Sequence, residues 1–357
     1  MRTDTLRLEA TIDGGYICHR DDVQYCQGVC EMSFITSVAG STVPVPTSAR
    51  VANVKLAASD TNTLVNITAG TFAQTMVAAN TLAPGWWLYL KNSGTGDITL
   101  TPDAGLIDGL SSYVMYPGEC RLIQSNGVTY SSTVIDPFFR VFTTTSTFVT
   151  PPGYQAFDGL VWSGGCSGAN IAVTAQGGGG GGCAPFLLAA SLFPASLTMT
   201  IGAGGAAVAS GGGVGLVGGN SSIGALFTVY GSATYLNGGS VTQSAIPAVA
   251  SPANGFEGAR QSGSQLFNSS MYGGAAPSPS ATYNSGGTFY GGGAGGSNIG
   301  GVIVNPGVSV MGGSGGAAAD AASGTNGTAP GGGGGGSTLG AVSGAGARGE
   351  IRIKGVA

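Results

Sequence analysis

The sequence predicts an all-β protein built from modules: a small N-terminal segment, a β-sandwich or prism-like module, and a C-terminal domain of packed polyglycine II helices. Glycine accounts for 68 of the 357 residues, and only 8% of the residues are charged. An average soluble domain holds roughly 7% glycine and about 25% charged residues. In addition, short alternations of apolar and polar residues, typical of strands, flank the glycine tracts. These observations favour an unusual ordered glycine fold.

The composition also disfavours several functions. A net charge of −4 with 12 Lys and Arg argues against nucleic-acid binding, which requires a basic surface. The single histidine disfavours His-based catalysis and multi-His metal sites. The glycines lack the Gly-X-Y period of collagen. The apolar run at 186–193 is far shorter than the roughly 18 residues of a membrane helix. The charged start does not resemble a secretory signal, so we expect synthesis in a cytoplasm.

Residues 1–40 form a separate segment with three cysteines, Cys18, Cys26 and Cys30. Only Cys26 and Cys30 have the short spacing of a structural zinc site, so disulfides or buried thiols are favoured over a metal. Cys166 and Cys183 flank the first glycine tract, and they are candidates for a disulfide or for buried thiols. Residues 41–50 contain two prolines one residue apart, which predicts an extended linker.

Residues 51–136 have the pattern of a small β module. Trp86, Leu88 and Leu90 alternate with other residues, which predicts a strand with one buried face. A turn at 92–97 and a second alternating stretch follow. Asn126-Gly127 lies between two further alternating stretches and predicts a hairpin.

The composition changes sharply near residue 150. Residues 151–357 hold 56 of the 68 glycines, including the six-residue tracts 177–182 and 331–336. Ordering such a tract costs on the order of 10 kcal/mol, because fixing each backbone costs about 1–2 kcal/mol. A flexible linker is therefore one interpretation. Polyglycine II helices packed side by side and hydrogen-bonded to one another are the other.

Strand-like sequences on both sides of the glycine tracts favour the ordered alternative. Residues 155–162 precede the tracts, and residues 350–354 end in a clear alternation with Ile351 and Ile353 on one face. We therefore expect these two strands to lie close together and to close one domain, residues 137–357. Aliphatic residues between the tracts are expected to cover its faces.

Several motifs carry a resemblance to a known class. Thr147-Phe-Val-Thr-Pro-Pro-Gly153, Val161-Trp162-Ser-Gly-Gly with its glycine run, and the closing Gly349-Glu-Ile-Arg-Ile-Lys354 resemble the glycine-rich domain of bacteriophage tail fibres. Residues 85–102, together with Tyr116-Pro-Gly-Glu-Cys-Arg-Leu122, look like a β module of phage virion proteins. Residues 1–40 match no family, and the cysteines are unusual for a fibre.

The resemblance implies an all-β modular fibre protein of the virion tail, assembled in the host cytoplasm. Its residues 1–40 would bind a tail or adaptor protein, and its residues 137–357 would bind a bacterial receptor, either a polysaccharide or an outer-membrane protein. Such fibres are commonly homotrimers, although some glycine-rich tip adhesins are monomers. A structural fibre without a receptor and a polysaccharide-degrading tailspike are the alternatives.

Aromatic residues between the glycine tracts are the candidate receptor-binding residues, because tyrosine offers a large contact area with few rotatable bonds. The candidates, with the two charges near them, are Tyr230, Tyr235, Phe256, Glu257, Arg260, Phe267, Tyr272, Tyr283, Phe289 and Tyr290. The competing interpretation is that these rings only cover the lattice. The carboxylates of the second half are widely scattered, so we expect no catalytic residue, cofactor or metal.

Overall fold

The computed structural model describes residues 35–38, 41–231, 269, 271–278, 281, 284–338 and 340–357. The chain divides into two units, Met1–Val45 and Pro46–Ala357. In the first unit, β1 (Ile35–Val38) pairs antiparallel with β2 (Ser41–Pro44). Cys18, Cys26 and Cys30 lie outside the described residues. No helix within the described ranges has the length and apolar content needed to cross a bilayer.

The second unit begins with the β module, in which two sheets face each other. Its strands are β3 (Thr47–Arg50), β4 (Leu64–Ile67), β5 (Phe72–Met76), β6 (Trp86–Asn92), β7 (Ile98–Pro102), β8 (Tyr113–Met115), β9 (Cys120–Ser125) and β10 (Tyr130–Asp136). One sheet has the order β10-β9-β6-β4-β3 and the other β5-β7-β8. Successive strands from β4 to β7 alternate between the sheets, so the turn at 92–97 crosses from one sheet to the other and does not form a hairpin.

The core of the β module follows the predicted alternation. Trp86, Leu88 and Leu90 are all buried between the sheets, as expected. The predicted hairpin is present: β9 and β10 are antiparallel, and Gly127 in the turn has a φ of 83°. Residues 41–50, predicted as an extended linker, hold β2 and β3, and β3 pairs with β4.

The glycine-rich domain starts with a β-sandwich. Its strands, with three short ones in the glycine region, are β11 (Phe139–Phe142), β12 (Ser146–Val149), β13 (Ala156–Trp162), β14 (Thr174–Ala175), β15 (Cys183–Ala189), β16 (Ser196–Thr200), β17 (Ser221–Ile223), β18 (Phe227–Val229), β19 (Asn298–Ile299), β20 (Val302–Ile303) and β21 (Glu350–Val356). The sheets β11-β21-β13-β15 and β12-β16-β17-β18 enclose one core, rich in phenylalanine.

The C-terminal strand closes this domain. β21 lies between β11 and β13, and its residue Arg352 is paired with Leu160 of β13. The expected proximity of residues 155–162 and 350–354 is therefore confirmed. Ile351 and Ile353 are buried in the sandwich core, as the alternation predicts.

The glycine tracts form a hydrogen-bonded lattice of extended segments. In the tract 331–336, the N–H groups of Gly332 and Gly335 donate to the carbonyls of Thr328 and Thr325 on one neighbouring segment. Residues three apart thus face the same neighbour, which is the period of a polyglycine II helix. The same period recurs in residues 163–170, whose N–H groups at 163, 166 and 169 all donate to the tract 176–182.

The tract 331–336 lies at the centre of this lattice. Its main-chain groups bond to six surrounding segments, which are 163–170, 177–182, 291–297, 312–319, 324–328 and 343–349. A Cβ atom built on Gly334 would lie 2.0 Å from the oxygen of Gly344, and one on Gly335 would lie 1.9 Å from that of Ala317. Only glycine permits this approach, so the predicted packed polyglycine II helices are present.

The lattice has two ends. At the sheet end, Trp162 of β13 is paired with Cys183 of β15 and with Glu350 of β21, and the polyglycine segments leave the sheet from this row. At the far end, Asn170 bonds to Gly213 and bridges to Ser337. The chain turns there at 171–175, 209–212, 298–303, 320–323 and 340–342. Six residues of polyglycine II span roughly 19 Å, so the two sets of turns are well separated.

Candidate functional site

A cluster of large side chains lies at the sheet end of the lattice. We call Met271, Tyr272, Phe289 and Tyr290 the aromatic turn cluster. The rings of Tyr272 and Tyr290 are stacked, with their centroids 4.6 Å apart and an angle of 1° between their planes. The ring of Phe289 meets that of Tyr290 edge-on at 4.8 Å. Two segments that are distant in sequence therefore present one continuous ring surface.

Main-chain hydrogen bonds hold the cluster in place. The indole Nε1 of Trp162 donates to the oxygen of Tyr290 at 2.6 Å, and the N–H of Cys183 donates to the oxygen of Tyr272 at 2.8 Å. The N–H of Tyr290 donates to the oxygen of Met271 at 2.8 Å. Each tyrosine is thus tied through its own backbone to the last residue of β13 or the first of β15.

A neighbouring turn supports Phe289 from the other side. The N–H of Met311 donates to the oxygen of Phe289, and the hydroxyl of Ser309 donates to the oxygen of Gly291 at 2.6 Å. The hydroxyl of Thr288 also donates to that oxygen. Main-chain and buried hydroxyl groups therefore fix the conformation of the turn, while the ring of Phe289 remains exposed.

The outward surface is apolar. Phe289 is 44% exposed and Met271 59%, while Val308 and Val310, which pair with Thr288, are 68% and 66% exposed. Exposed apolar groups that are contiguous mark interaction sites more often than isolated ones do. Aromatic residues and methionine are also enriched at the centres of protein interfaces.

Among the described residues, two charged side chains beside Trp162 are bound to each other. The guanidinium of Arg352 lies 4.7 Å from the ring centroid of Trp162, and its Nε donates to Glu350 at 2.8 Å. Burial raises the pKa of the Cys183 thiol well above its usual value, against the opposing charge of Arg352. Burial, with a further effect of Tyr290, raises the pKa of Tyr272.

The structure brings together three of the ten predicted residues, Tyr272, Phe289 and Tyr290. Tyr230 instead follows β18 at the edge of the other sandwich sheet, where it is half-buried. The remaining candidates lie outside the described residues: Tyr235, Phe256, Glu257, Arg260, Phe267 and Tyr283. Cys166 and Cys183 are both buried thiols.

The far end of the lattice holds a second exposed group, which the sequence did not predict as a binding site. Val302 and Ile303 of β20 are exposed there, and so is Val173, which directly precedes β14 of the same small sheet β14-β19-β20. Beside them, Asp320 accepts hydrogen bonds from Asn298 at 3.1 Å and from Thr338 at 3.2 Å. The available signal was Gly300-Gly301 between Asn298-Ile299 and Val302-Ile303, a pattern typical of a hairpin.

The carboxylates of the domain are engaged separately. Asp158 binds Lys354 at 3.2 Å, Glu350 binds Arg352, and Asp320 accepts from Asn298. Glu257 lies outside the described residues. Within the part of the chain that the structure describes, no three His, Cys, Asp or Glu side chains gather as metal ligands would.

Comparison with known proteins identifies the larger part of the chain. The model of a protein family described as a glycine-rich domain matches residues 141–355, more than half of the sequence. No curated protein matches the chain. The matched range begins in β11 and ends in β21, so it covers the sandwich and the lattice together. The chain therefore belongs to the glycine-rich domain family.

Proposed function

We propose that this protein is the receptor-binding adhesin of a bacteriophage tail fibre. In this proposal residues 1–40 bind another tail protein, the chain forms a homotrimer in the virion, and the glycine-rich domain contacts the bacterial surface. The protein acts by binding and not by catalysis. The motifs shared with tail fibres and the membership of the glycine-rich domain family support the proposal.

The aromatic turn cluster is the observation that carries the proposal. Binding costs free energy when the binding groups must first be ordered, and a rigid scaffold lowers this cost. Here Tyr272 and Tyr290 are held by backbone bonds to the sandwich strands, and the rings stack on each other. Phe289 and Met271 are left exposed on this preorganised base.

The lattice supplies the rigidity that such a scaffold needs. A segment with six hydrogen-bonded neighbours cannot shift without breaking bonds on several sides. An apolar surface that only covered the lattice would be buried against it. Instead the exposed side chains of Val308 and Val310 extend the surface of the cluster away from the lattice.

The test is competition with phage that carry this chain as they adsorb to their host. Purified full chain is mixed with host cells before the phage are added, and free phage are counted over time. We expect adsorption to slow as the full chain is added, because the receptors become occupied. Adsorption that does not change would overturn the proposal and favour a structural fibre. Loss of capsule from the treated cells would instead favour a tailspike.

A double variant ties the result to the cluster. Met271→Ala/Phe289→Ala removes exposed side chains of the aromatic turn cluster, and it should compete at least about tenfold less well, since anchors of this kind dominate binding energy. Val128→Ala is the matched control, because Val128 is equally apolar and 70% exposed in the hairpin of the β module. Equal competition by both variants would remove the cluster from the proposal.

A further inference from the structure

The β module and the glycine-rich domain meet at a fully buried ion pair. Glu119 and Arg121 are both inaccessible to solvent, and the Nε of Arg121 donates to Glu119 at 2.6 Å. Both residues belong to the β module. An isolated buried charge is costly, so each charge needs partners on all sides.

The missing partners come from the glycine-rich domain. The Nη2 of Arg121 donates to the main-chain oxygen of Pro152 at 2.8 Å, and the hydroxyl of Tyr154 donates to Glu119 at 3.0 Å. Within the module, the N–H of Tyr116 donates to the other oxygen of the Glu119 carboxylate at 2.9 Å. The pair is therefore satisfied only when residues 152–154 are in place.

Tyr116 adds a second connection. Its hydroxyl donates to the carbonyl of Val149 at 2.9 Å and accepts from the N–H of the same residue at 2.8 Å. Val149 lies on β12, which is an edge strand of the sandwich. One phenol thus substitutes for the next strand at this edge, where unpaired main-chain groups would otherwise remain.

The ring of Tyr116 belongs to the core of the other domain. It packs against Phe138 at 5.1 Å and stacks on Phe148 at 5.3 Å, within the sandwich core. The guanidinium of Arg140, on β11, lies 4.7 Å from the same ring and pairs with Asp97 of the β module. Polar and apolar contacts between the β module and the glycine-rich domain therefore meet around the ring of Tyr116.

We infer that residues 116–121 and residues 149–154 form a joint that makes the β module and the glycine-rich domain one cooperative unit. Each of the two segments holds one of the motifs singled out in the sequence, Tyr116-Pro-Gly-Glu-Cys-Arg and Val149-Thr-Pro-Pro-Gly. They are the two halves of one interface. The joint fixes the direction of the lattice relative to the module, so the two move as a rigid arm.

The test is native-state hydrogen exchange on the full chain. The probes are amides around Leu88 and Leu90 in the β-module core, and around Val161 and Ile353 in the sandwich core. In the wild type, we expect the slowest amides of both cores to exchange through the same global opening. Different opening free energies in the wild type would overturn the joint.

Variants distinguish loss of coupling between the two cores from a general loss of stability. Tyr116→Phe/Tyr154→Phe removes two hydroxyls that cross the joint, and Arg121→Met added to it removes the buried cation. We expect the β-module core to exchange at least about tenfold faster than the sandwich core in the triple variant, given the hydrogen bonds lost. If the triple variant does not fold, the same difference in exchange rate between the two cores is measured in the double variant. Equal opening free energies of the two cores in the folded variant would overturn the inference.

A matched control removes a hydroxyl that stays within the β module and does not contact the ion pair. In Tyr130→Phe, the lost bond goes to the main-chain oxygen of Val77 at 2.6 Å. Because the joint is intact, both cores should lose protection together. A split between the cores in this control would show that the joint does not couple them.

Discussion

The indole of Trp162 donates a hydrogen bond to the main-chain oxygen of Tyr290, a residue 128 positions later. Trp162 ends the central strand β13, and Tyr290 turns the chain between two polyglycine segments. The bond therefore ties the β-sandwich to the aromatic turn cluster. The position of the proposed binding surface depends on the sandwich as well as on the lattice.

This hydrogen bond predicts that two variants differ in their effects on receptor binding and on the free energy of unfolding. Phe289→Ala removes an exposed ring, so receptor binding should fall at least about tenfold while unfolding free energy changes by less than about 1 kcal/mol. Trp162→Phe removes a buried donor, and both binding and stability should fall, the latter by about 1–3 kcal/mol. Cell-binding titrations and denaturant unfolding measure the two effects. A stable Trp162→Phe protein with normal binding would contradict the tie.

The lattice predicts a strong penalty for a single methyl group at its centre. Gly334→Ala would place Cβ 2.0 Å from the oxygen of Gly344, and since backbone lies on every side, we expect a loss of about 3 kcal/mol or more. Gly213→Ala is the control. There the nearest atom would be the Cγ1 of Val208 at 3.1 Å, a side-chain methyl that can move, so the loss should stay below about 1 kcal/mol. Equal losses in denaturant unfolding would count against close packing.

The buried ion pair predicts a large effect of a small change. Glu119→Gln leaves the Arg121 cation buried without its counter-charge, and unfolding free energy should fall by about 3–5 kcal/mol. Lys55→Met breaks the exposed pair with Asp103, which should cost less than about 1 kcal/mol. Denaturant unfolding compares the two. A Glu119→Gln loss as small as that of Lys55→Met would mean that the pair is not sealed from water.

Buried tyrosines predict a loss of stability in alkaline solution. Burial raises the pKa of Tyr113, Tyr116 and Tyr154 above the usual value. Above pH about 10 the unfolded chain releases these phenolic protons while the folded chain keeps them, so the free energy of unfolding falls by roughly 1.4 kcal/mol per pH unit for each group. Below that pH their contribution is constant.

Denaturant unfolding between pH about 8 and 11 measures this slope. Tyr113→Phe removes one of the groups, so its slope above pH about 10 should be shallower by roughly 1.4 kcal/mol per pH unit. Identical slopes for the variant and the wild type would mean that Tyr113 is ionised as readily in the folded protein as in the unfolded chain.

The regular strands could be predicted from the sequence because their signals are local. The alternation at Ile351 and Ile353 and the turn at Asn126-Gly127 depend on neighbouring residues only. The ordered glycine tracts were predicted from the strand-like sequences on both sides of them, because the tracts alone also fit a flexible linker. The crossing of the chain between sheets after β6 was not predictable, since the same turn residues suit a hairpin and a crossing.

The candidate site was harder to predict from the sequence, because it depends on contacts between residues far apart in the chain. Composition pointed to Tyr272, Phe289 and Tyr290, but nothing local shows that Tyr272 stacks on Tyr290 or that Trp162 holds the turn. Tyr230 has the same kind of sequence surroundings and lies elsewhere. The roles of Glu119 and Arg121 were also not predictable, since an acid and a base two residues apart at the start of a strand usually face solvent.

The central claim is that the glycine tracts form a bonded lattice on which the binding turns are fixed. Amide hydrogen exchange at residues 331–336 tests it most directly, because the N–H groups there donate to carbonyls of surrounding segments. We predict protection that matches the sandwich core and is lost only in global unfolding. Exchange of these glycines at the rate of an unstructured peptide would contradict the account.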